Sequence, residues 1–300
     1  MHSHSHGAPP RPCVRRALIW SAASRAEPRT PWPAACCHRR WWVHCLRCPW
    51  AEDSMALMRC ANVRVTFGED HVLRDASFGV DRGEIVGIVG RSGEGKTTLL
   101  KASAGLIPVD EGTVELLGED LWQAPTARRE ELRRHFGFVF QGGALFDSLT
   151  VAENAGFFPR RVQGRPAAEA RDVATEKLGL VGLHDVEDLL PAELSGGMAK
   201  RVAIARALAM EPDALLFDEP TAHLDPATCR QLEALIVRLR QEVGVAAVVV
   251  SHDLASLCRI ADRIILLHEG EVALESPAAE FAASDDPRVV ALLAAEGGTL

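Results

Sequence analysis

The sequence predicts an α/β fold in which a mostly parallel sheet carries helices on both faces. Three observations predict it. Short unbroken apolar runs, "GEIVGIVG" (83–90), "ALLFDE" (214–219) and "VAAVVVS" (245–251), have the length and composition of strands buried on both faces. Between them stand segments of helical period, and alternation of buried strands with helices is the pattern of a parallel sheet wrapped on both sides. No window approaches the roughly 18 uninterrupted apolar residues of a spanning helix, so runs such as "VAAVVV" and "RIILLH" belong to a core.

The first 54 residues differ from the rest. They hold eight arginines against three acids, a local charge of +5 in a chain of net −8, which leaves −13 for the remainder. That acidic balance argues against a nucleic-acid surface as the main business of the folded part. The same stretch has five of the eight cysteines and five of the six tryptophans, with seven prolines and no helical or strand period. Zinc ligation through Cys36, His38, Cys45 and Cys48 would need regular pairs on recognisable elements, and neither is present. "ALIWSAA" is too short for the apolar core of a secretory signal. Residues 1–54 therefore read as a disordered extension, or as upstream sequence before a start at Met55 or Met58. Cys60, Cys229 and Cys258 are scattered singly, which suits buried thiols without disulfides.

From Met58 the elements follow in order. "ANVRVTF" alternates as a strand, "HVLRDASFGV" follows as a second, and "GEIVGIVG" is the first buried strand. A Gly-rich loop then enters a helix in "RSGEGKTTLLKASAG". "VFQGGALFDSLTVAENAGFF" (139–158) places two glycines and an apolar run after Gln141, with a helix opening at Ser148 or Thr150. Residues 165–190 are helical in period, interrupted by Gly179 and Gly182 and bounded by Pro191. "SGGMAKRVAIARALAM" and "PATCRQLEALIVRLRQEV" are helices, and "DDPRVVALLAAEG" predicts a last short one.

Chemistry concentrates in four places. "GRSGEGKT", Gly90 to Thr97, has the spacing of a phosphate-binding loop between an apolar strand and a helix: its glycines turn backbone N–H groups inward, and the helix N-terminus adds positive charge. Lys96 would reach the β- and γ-phosphates and the Thr97 hydroxyl would ligate Mg²⁺. "ALLFDEP" delivers Asp218 and Glu219 at the carboxyl end of a buried strand, where open α/β sheets bind ligands. Asp218 would hold Mg²⁺ through water and Glu219 would polarise an attacking water as general base. "LSGGMAKR", Leu194 to Arg201, puts Ser195 at a helix N-cap, with Gly196 and Gly197 freeing the backbone to face an anion. A second phosphate-facing cap in a chain that already has a phosphate loop suggests two copies meeting head to tail, each lending its cap to the other's nucleotide.

With these motifs in this order, residues 58–275 resemble the nucleotide-binding subunit of the ABC transporter family. The resemblance implies a P-loop NTPase fold with a RecA-like core, an antiparallel β subdomain and a helical subdomain at about 142–210, followed by a helical tail over 276–300. It also implies ATP and Mg²⁺ as ligands. The family pattern carries over to Gly90, Arg91, Ser92, Gly93, Glu94, Gly95, Lys96, Thr97 and Thr98 as the phosphate loop, and to Gln141 as the glutamine of the Q-loop, which senses Mg²⁺ and water. Leu194–Met198 match the signature, Asp218 and Glu219 the magnesium and catalytic acids, Asp225 of "AHLD" the D-loop, and His252 of "VVVSHD" the switch histidine. Phe67 stands where an aromatic stacks on adenine, a position often Tyr or Trp. His223 departs from the Gly or Ser usual in the D-loop.

The family docks on its membrane partner just past the Q-loop. The resemblance therefore implies a homodimer sandwiching two ATP at the cytoplasmic face of the inner membrane, bound to a separate permease. Leu145, Phe146, Leu149, Val151 and Phe157 would supply apolar contacts to the permease's coupling helix. Met198, in place of the usual Gln, together with "GALFDSLTVAENAGFF", is similar to the phospholipid-transport branch that works with MCE-domain proteins. The alternatives are another cargo, such as an amino acid, a drug or a lipoprotein, and a soluble ABC ATPase without a permease.

Overall fold

The structure is a computed structural model that describes residues 56–295. The expectations for Cys36, His38, Cys45, Cys48 and the start at Met55 lie outside the described residues. In chain order the elements are β1 (Ala56–Phe67), β2 (Asp70–Asp81), β3 (Ile85–Val89), α1 (Lys96–Ser103), β4 (Glu111–Leu116), β5 (Glu119–Asp120), α2 (Thr126–Arg134) and β6 (Phe136–Val139). Then come α3 (Val151–Ala155), α4 (Phe157–Arg161), α5 (Ala167–Leu180), a 3₁₀ turn (Pro191–Glu193), α6 (Gly196–Leu208), β7 (Ala214–Asp218) and α7 (Pro226–Val243). The rest is β8 (Ala246–Val250), α8 (Leu254–Ile260), β9 (Arg263–His268), β10 (Glu271–Pro277), α9 (Ala278–Phe281) and α10 (Pro287–Ala295).

The strands form one ten-stranded sheet in the order β5-β4-β1-β2-β10-β9-β3-β8-β7-β6. From β9 to β6 every pairing is parallel, whereas β1 with β2, β1 with β4 and β4 with β5 are antiparallel. The two halves meet at the parallel pairing of β2 with β10, Glu271 opposite Asp75.

Side chains on the central strands alternate between two cores, as the pleat requires. Ile85, Val89, Leu215, Phe217, Ala247, Val249, Ile264 and Leu266 face the core built with α6, α7 and α8. Their neighbours Val86, Ile88, Leu216, Val248, Val250, Ile265 and Leu267 face the core shared with α1 and the antiparallel strands. All five residues of β3, β7 and β8 are buried, which is why those runs carry no polar alternation.

Helix ends follow local chemistry. Thr150, not Ser148, opens α3 through a capping box in which Thr150 Oγ1 accepts from Glu153 N at 3.3 Å and Glu153 Oε2 accepts from Thr150 N at 2.9 Å. Asp225 caps α7 ahead of Pro226, and Gly244 closes it in the left-handed region at φ +78°. Asn154, fully buried, ties down the turn before α3. Its Oδ1 accepts from Phe146 N at 2.8 Å, and its amide donates to the carbonyls of Phe146, Leu149 and Thr150 at 3.1, 3.0 and 3.1 Å.

Candidate active site

The parallel strands deliver the predicted site residues to one edge of the sheet. β3 runs into the Gly90–Thr97 loop, β8 into Ser251 and His252, β7 ends in Asp218 followed by Glu219, and β6 leads to Gln141. Four adjacent strands, β3-β8-β7-β6, thus place their carboxyl ends side by side, where sheets of this class bind ligands.

The loop needs its glycines. Gly93 and Gly95 sit at φ +89° and +93°, and a Cβ on Gly95 would lie 2.9 Å from the Val72 carbonyl oxygen. Lys96 is 7% exposed and donates to the carbonyls of Gly90 and Arg91 at 2.8 and 3.0 Å. Burial pushes its ammonium down from the ordinary lysine range, against the opposing pull of Glu219, Glu94 and Asp218. Thr97 Oγ1 donates to Asp218 Oδ1 at 2.7 Å, so a hydroxyl and a buried carboxylate converge on one spot. Glu94 is turned away from the loop's interior, accepting from Glu269 N and lying 3.3 Å from His268 Nδ1.

Glu219 takes a left-handed backbone, φ +48°, held by its N–H donating to Val250 O at 3.0 Å. A non-glycine residue in that region stores strain, and such strain clusters at functional sites. His252 Nδ1 lies 2.8 Å from Glu219 Oε2, with the imidazole largely exposed and the carboxylate largely buried.

The remaining predicted residues lie on other elements. Ser195 caps α6, its Oγ accepting from Met198 N at 3.3 Å. Gly196 and Gly197 are small because the start of α7 is close: a Cβ on Gly197 would meet Thr228 Cγ2 at 2.6 Å, and one on Gly196 would meet Leu224 Cδ2 at 3.3 Å. Asp225 accepts from Ala227 N and Thr228 N at 3.0 and 3.1 Å, and its hydrogen bonds with Thr228 hold its carboxyl below the usual range. Among the described residues no hydrogen bond or ion pair joins Ser195, Gly196, Gly197 or Asp225 to the Gly90–Thr97 loop. Phe67, 54% exposed, ends β1 opposite Asp70, on the hairpin whose Val72 carbonyl abuts Gly95. Arg91 and Ser92 are exposed on the loop, and Thr98 continues into α1.

Three side chains that tie down the segment after Gln141 escape the sequence reading. Lys200, 7% exposed in the middle of α6, donates to the Gln141 carbonyl. Arg206, one face further along α6, donates to the carbonyls of Gly143 and Ala144 at 2.9 and 2.7 Å and lies over the Phe146 ring. Asn154 is the third. The signal for Lys200 was an ammonium inside an otherwise apolar helix face.

The apolar set after Gln141 divides. Val151 is fully buried and closes the core instead of offering the binding surface expected of it, whereas Leu145 packs on that core while only half-buried. Phe146 stacks on Phe157 with ring centroids 4.6 Å apart. Leu149 and Phe157, with Ala152, Glu153, Arg160, Arg161 and Arg171, border a groove of about 380 Å³.

A phosphate-type loop after β3, the Asp218–Glu219 pair at the end of β7, Gln141 after β6, His252 after β8 and a capped Ser-Gly-Gly start to α6 make up the motif set of an ATP-binding cassette. The chain belongs to that family: the model described as ABC transporter matches residues 73–222. It is the ATP-hydrolysing subunit type of a transporter and binds nucleotide. Among relatives, it is 41% identical to the protein TRIGALACTOSYLDIACYLGLYCEROL 3, chloroplastic, of Arabidopsis thaliana, over 79% of this chain and 73% of that one. It is 39% identical to the intermembrane phospholipid transport system ATP-binding protein MlaF of Escherichia coli, over 79% of this chain and 89% of MlaF. It is also 39% identical to the methionine import ATP-binding protein MetN of Brucella abortus, over 80% of this chain and 64% of MetN. The fold is similar to the dimeric post-hydrolysis state of the ATP-binding cassette MJ0796 bound to ADP and Pi, with a TM-score of 0.66 at 35% identity, covering 74% of this chain and 98% of that one. Among the described residues no helix is long and apolar enough to cross a membrane.

Proposed function

We propose that this chain powers a separate membrane permease that moves phospholipid or a similarly hydrophobic substrate, working as a homodimer that closes on two ATP and opens after hydrolysis. The observation that carries the reading is continuity between site and groove. The segment from Gln141 to Phe146 is bonded to α6 at one end and stacked on Phe157, which borders the groove, at the other. A change at the nucleotide therefore has a direct mechanical route to a docked partner helix.

In each site Lys96 turns its ammonium from the Gly90 and Arg91 carbonyls to the β- and γ-phosphates, with Gly90–Thr98 as the cradle and Phe67 against the adenine. Mg²⁺ fits the donors present, since Thr97 Oγ1 and Asp218 are hard oxygens of the kind it takes, with phosphate oxygens and water completing the shell. Bound there, the ion would neutralise charge on the phosphates. Glu219 accepts the proton of the attacking water, and His252, bonded to it, orients the carboxylate and reaches the γ-phosphate. Gln141 positions the water, and Ser195, Gly196 and Gly197 cap the partner copy's nucleotide beside its Asp225. The helices between residues 142 and 210 serve as the subdomain that carries this cap and the groove.

The lipid cargo is supported by the names of MlaF and the Arabidopsis relative and by Met198 within the signature. MetN keeps a second reading open, an amino-acid importer. We place the working complex at the cytoplasmic face of the inner membrane, with an MCE-domain protein as a further component. Tagging the chain, solubilising native membranes in mild detergent and identifying what co-purifies tests this. A polytopic permease together with an MCE-domain protein is the expected result. A permease with a solute-binding protein would transfer the cargo to a small solute, and no membrane protein would overturn the transporter reading.

A further inference from the structure

We propose that Lys200 is a positioning residue for ATP hydrolysis: its buried ammonium holds the backbone of Gln141 in register with the acids of β7, so that the glutamine side chain meets the water only while Lys200 is in place. This rests on the assignment of Gln141, Asp218 and Glu219 proposed above.

The geometry is specific. The chain after β6 passes directly over α6: a Cβ on Gly143 would lie 3.7 Å from both the Ala199 carbonyl oxygen and the Ala203 Cβ. At that crossing, Lys200 reaches over and donates to the Gln141 carbonyl. A buried ammonium is expensive unless it is hydrogen-bonded and balanced by charge. For Lys200, burial lowers the pKa and the field of Asp218 and Glu219, the two acids assigned to metal and water, offsets part of that lowering. Lys96 is the other buried ammonium that feels both acids. The site thus has two buried lysines for two acids, one on the phosphate side and one on the Gln141 side. The main chain of Gln141 is the link: its carbonyl is held by Lys200, and the carbonyls of Gly143 and Ala144 further on are held by Arg206. A surface lysine in a helix would show neither the burial nor the bond, and an apolar residue in its place would pack α6 but leave Gln141 untethered.

The test uses the full chain and four variants, Lys200→Met, Lys200→Arg, Lys200→Gln and Glu219→Gln, with steady-state turnover across a range of Mg·ATP and amide hydrogen exchange over residues 141–146. Lys200→Met should lower kcat at least about tenfold, the scale of a small misplacement of a reacting group, while KM stays within about twofold. Exchange at 142–144 should quicken, and Lys200→Arg should restore most of the turnover. Lys200→Gln keeps a donor without the charge and provides the same comparison if the methionine variant does not fold. Wild-type kcat in Lys200→Met, or parallel loss of kcat, KM and stability with no rescue by arginine, would overturn the assignment. Glu219→Gln separates the two levels: if it is inactive while Lys200→Met is normal, only the role of Lys200 falls, and if it turns over like wild type, the site reading beneath it falls as well.

Discussion

Replacing Asn154 with alanine probes the joint between site and groove. Its side chain makes four hydrogen bonds within the Phe146–Thr150 turn. They are not equal in consequence. The Phe146 carbonyl keeps a backbone donor from Leu149 N at 3.0 Å, and the Thr150 carbonyl keeps Asn154 N at 2.8 Å, so neither is orphaned. Phe146 N–H and the Leu149 carbonyl lose the partners they have, and each such group left unsatisfied costs about 1–3 kcal/mol. The sum is about 3 kcal/mol, or about 6–12 °C in melting temperature for a domain of this size. Urea unfolding with both midpoint and slope measured is the assay. Nucleotide affinity should be preserved, because the Gly90–Thr97 loop is untouched, whereas affinity for the permease should fall as Leu149 and Phe157 lose their support. A stability change under about 0.5 kcal/mol would refute the assignment of the turn's order to Asn154.

Two further outcomes follow from the same geometry. Phe67→Ala should weaken ATP binding by about 5- to 150-fold, the worth of one base–aromatic stack at about 1–3 kcal/mol, with little change in stability because the ring is mostly in solvent; Phe67→Trp should recover it, and equal affinity in a nucleotide titration would remove Phe67 from the adenine. Stability should hold through neutral pH and fall in acid. The Arg288 guanidinium holds the Asp286 carboxyl down at about 2, and although burial alone would raise Asp213 and Glu233, hydrogen bonds from Arg82 and His135, and from Arg259 and Ser256, outweigh it and lower both. Between the unfolded values near pH 4 and these depressed ones the unfolded chain binds more protons, so the stabilisation is present above about pH 4 and is lost as pH falls through the folded values. A urea midpoint that rises from pH 6 to pH 3 would contradict it.

The buried parallel strands were the easiest features to read, because a strand covered on both faces is an unbroken apolar run, as β3 and β8 show throughout and β7 shows up to Asp218 at its end. The helices α6 and α7 were equally plain: Ser195 and Asp225 are capping residues placed just ahead of long runs of helix formers, with an amphipathic period in α7. Helix α2 was invisible for the opposite reason, since of "TARREELRR" only Leu132 is buried and no stripe exists to detect. Strands β4 and β5 are short and half exposed, and the pairing of β4 with β1 and of β5 with β4 is a tertiary fact. In the site, Lys96, Thr97 and Asp218 could be anticipated because spacing encodes their loop and strand end. The left-handed backbone of Glu219 and His223 could not, because neither is a glycine and the conformation is imposed by what surrounds it. Lys200 and Gln141 stand 59 positions apart, and only the crossing of α6 with the segment after β6 brings them together. Val151 illustrates the converse limit: an apolar residue beside a hinge can face a partner or the core, and here α3 turns it into the core.

The most direct test of a composite ATP site is to mix the Glu219→Gln chain with Mg·ATP and follow both turnover and mass by light scattering. Turnover should fall by about 10²- to 10⁴-fold, the range for a lost general base, while the protein shifts from monomer to a stable dimer that retains ATP. A variant that hydrolyses ATP at the wild-type rate, or that binds ATP and stays monomeric, would contradict a site completed by two copies with Glu219 as its base.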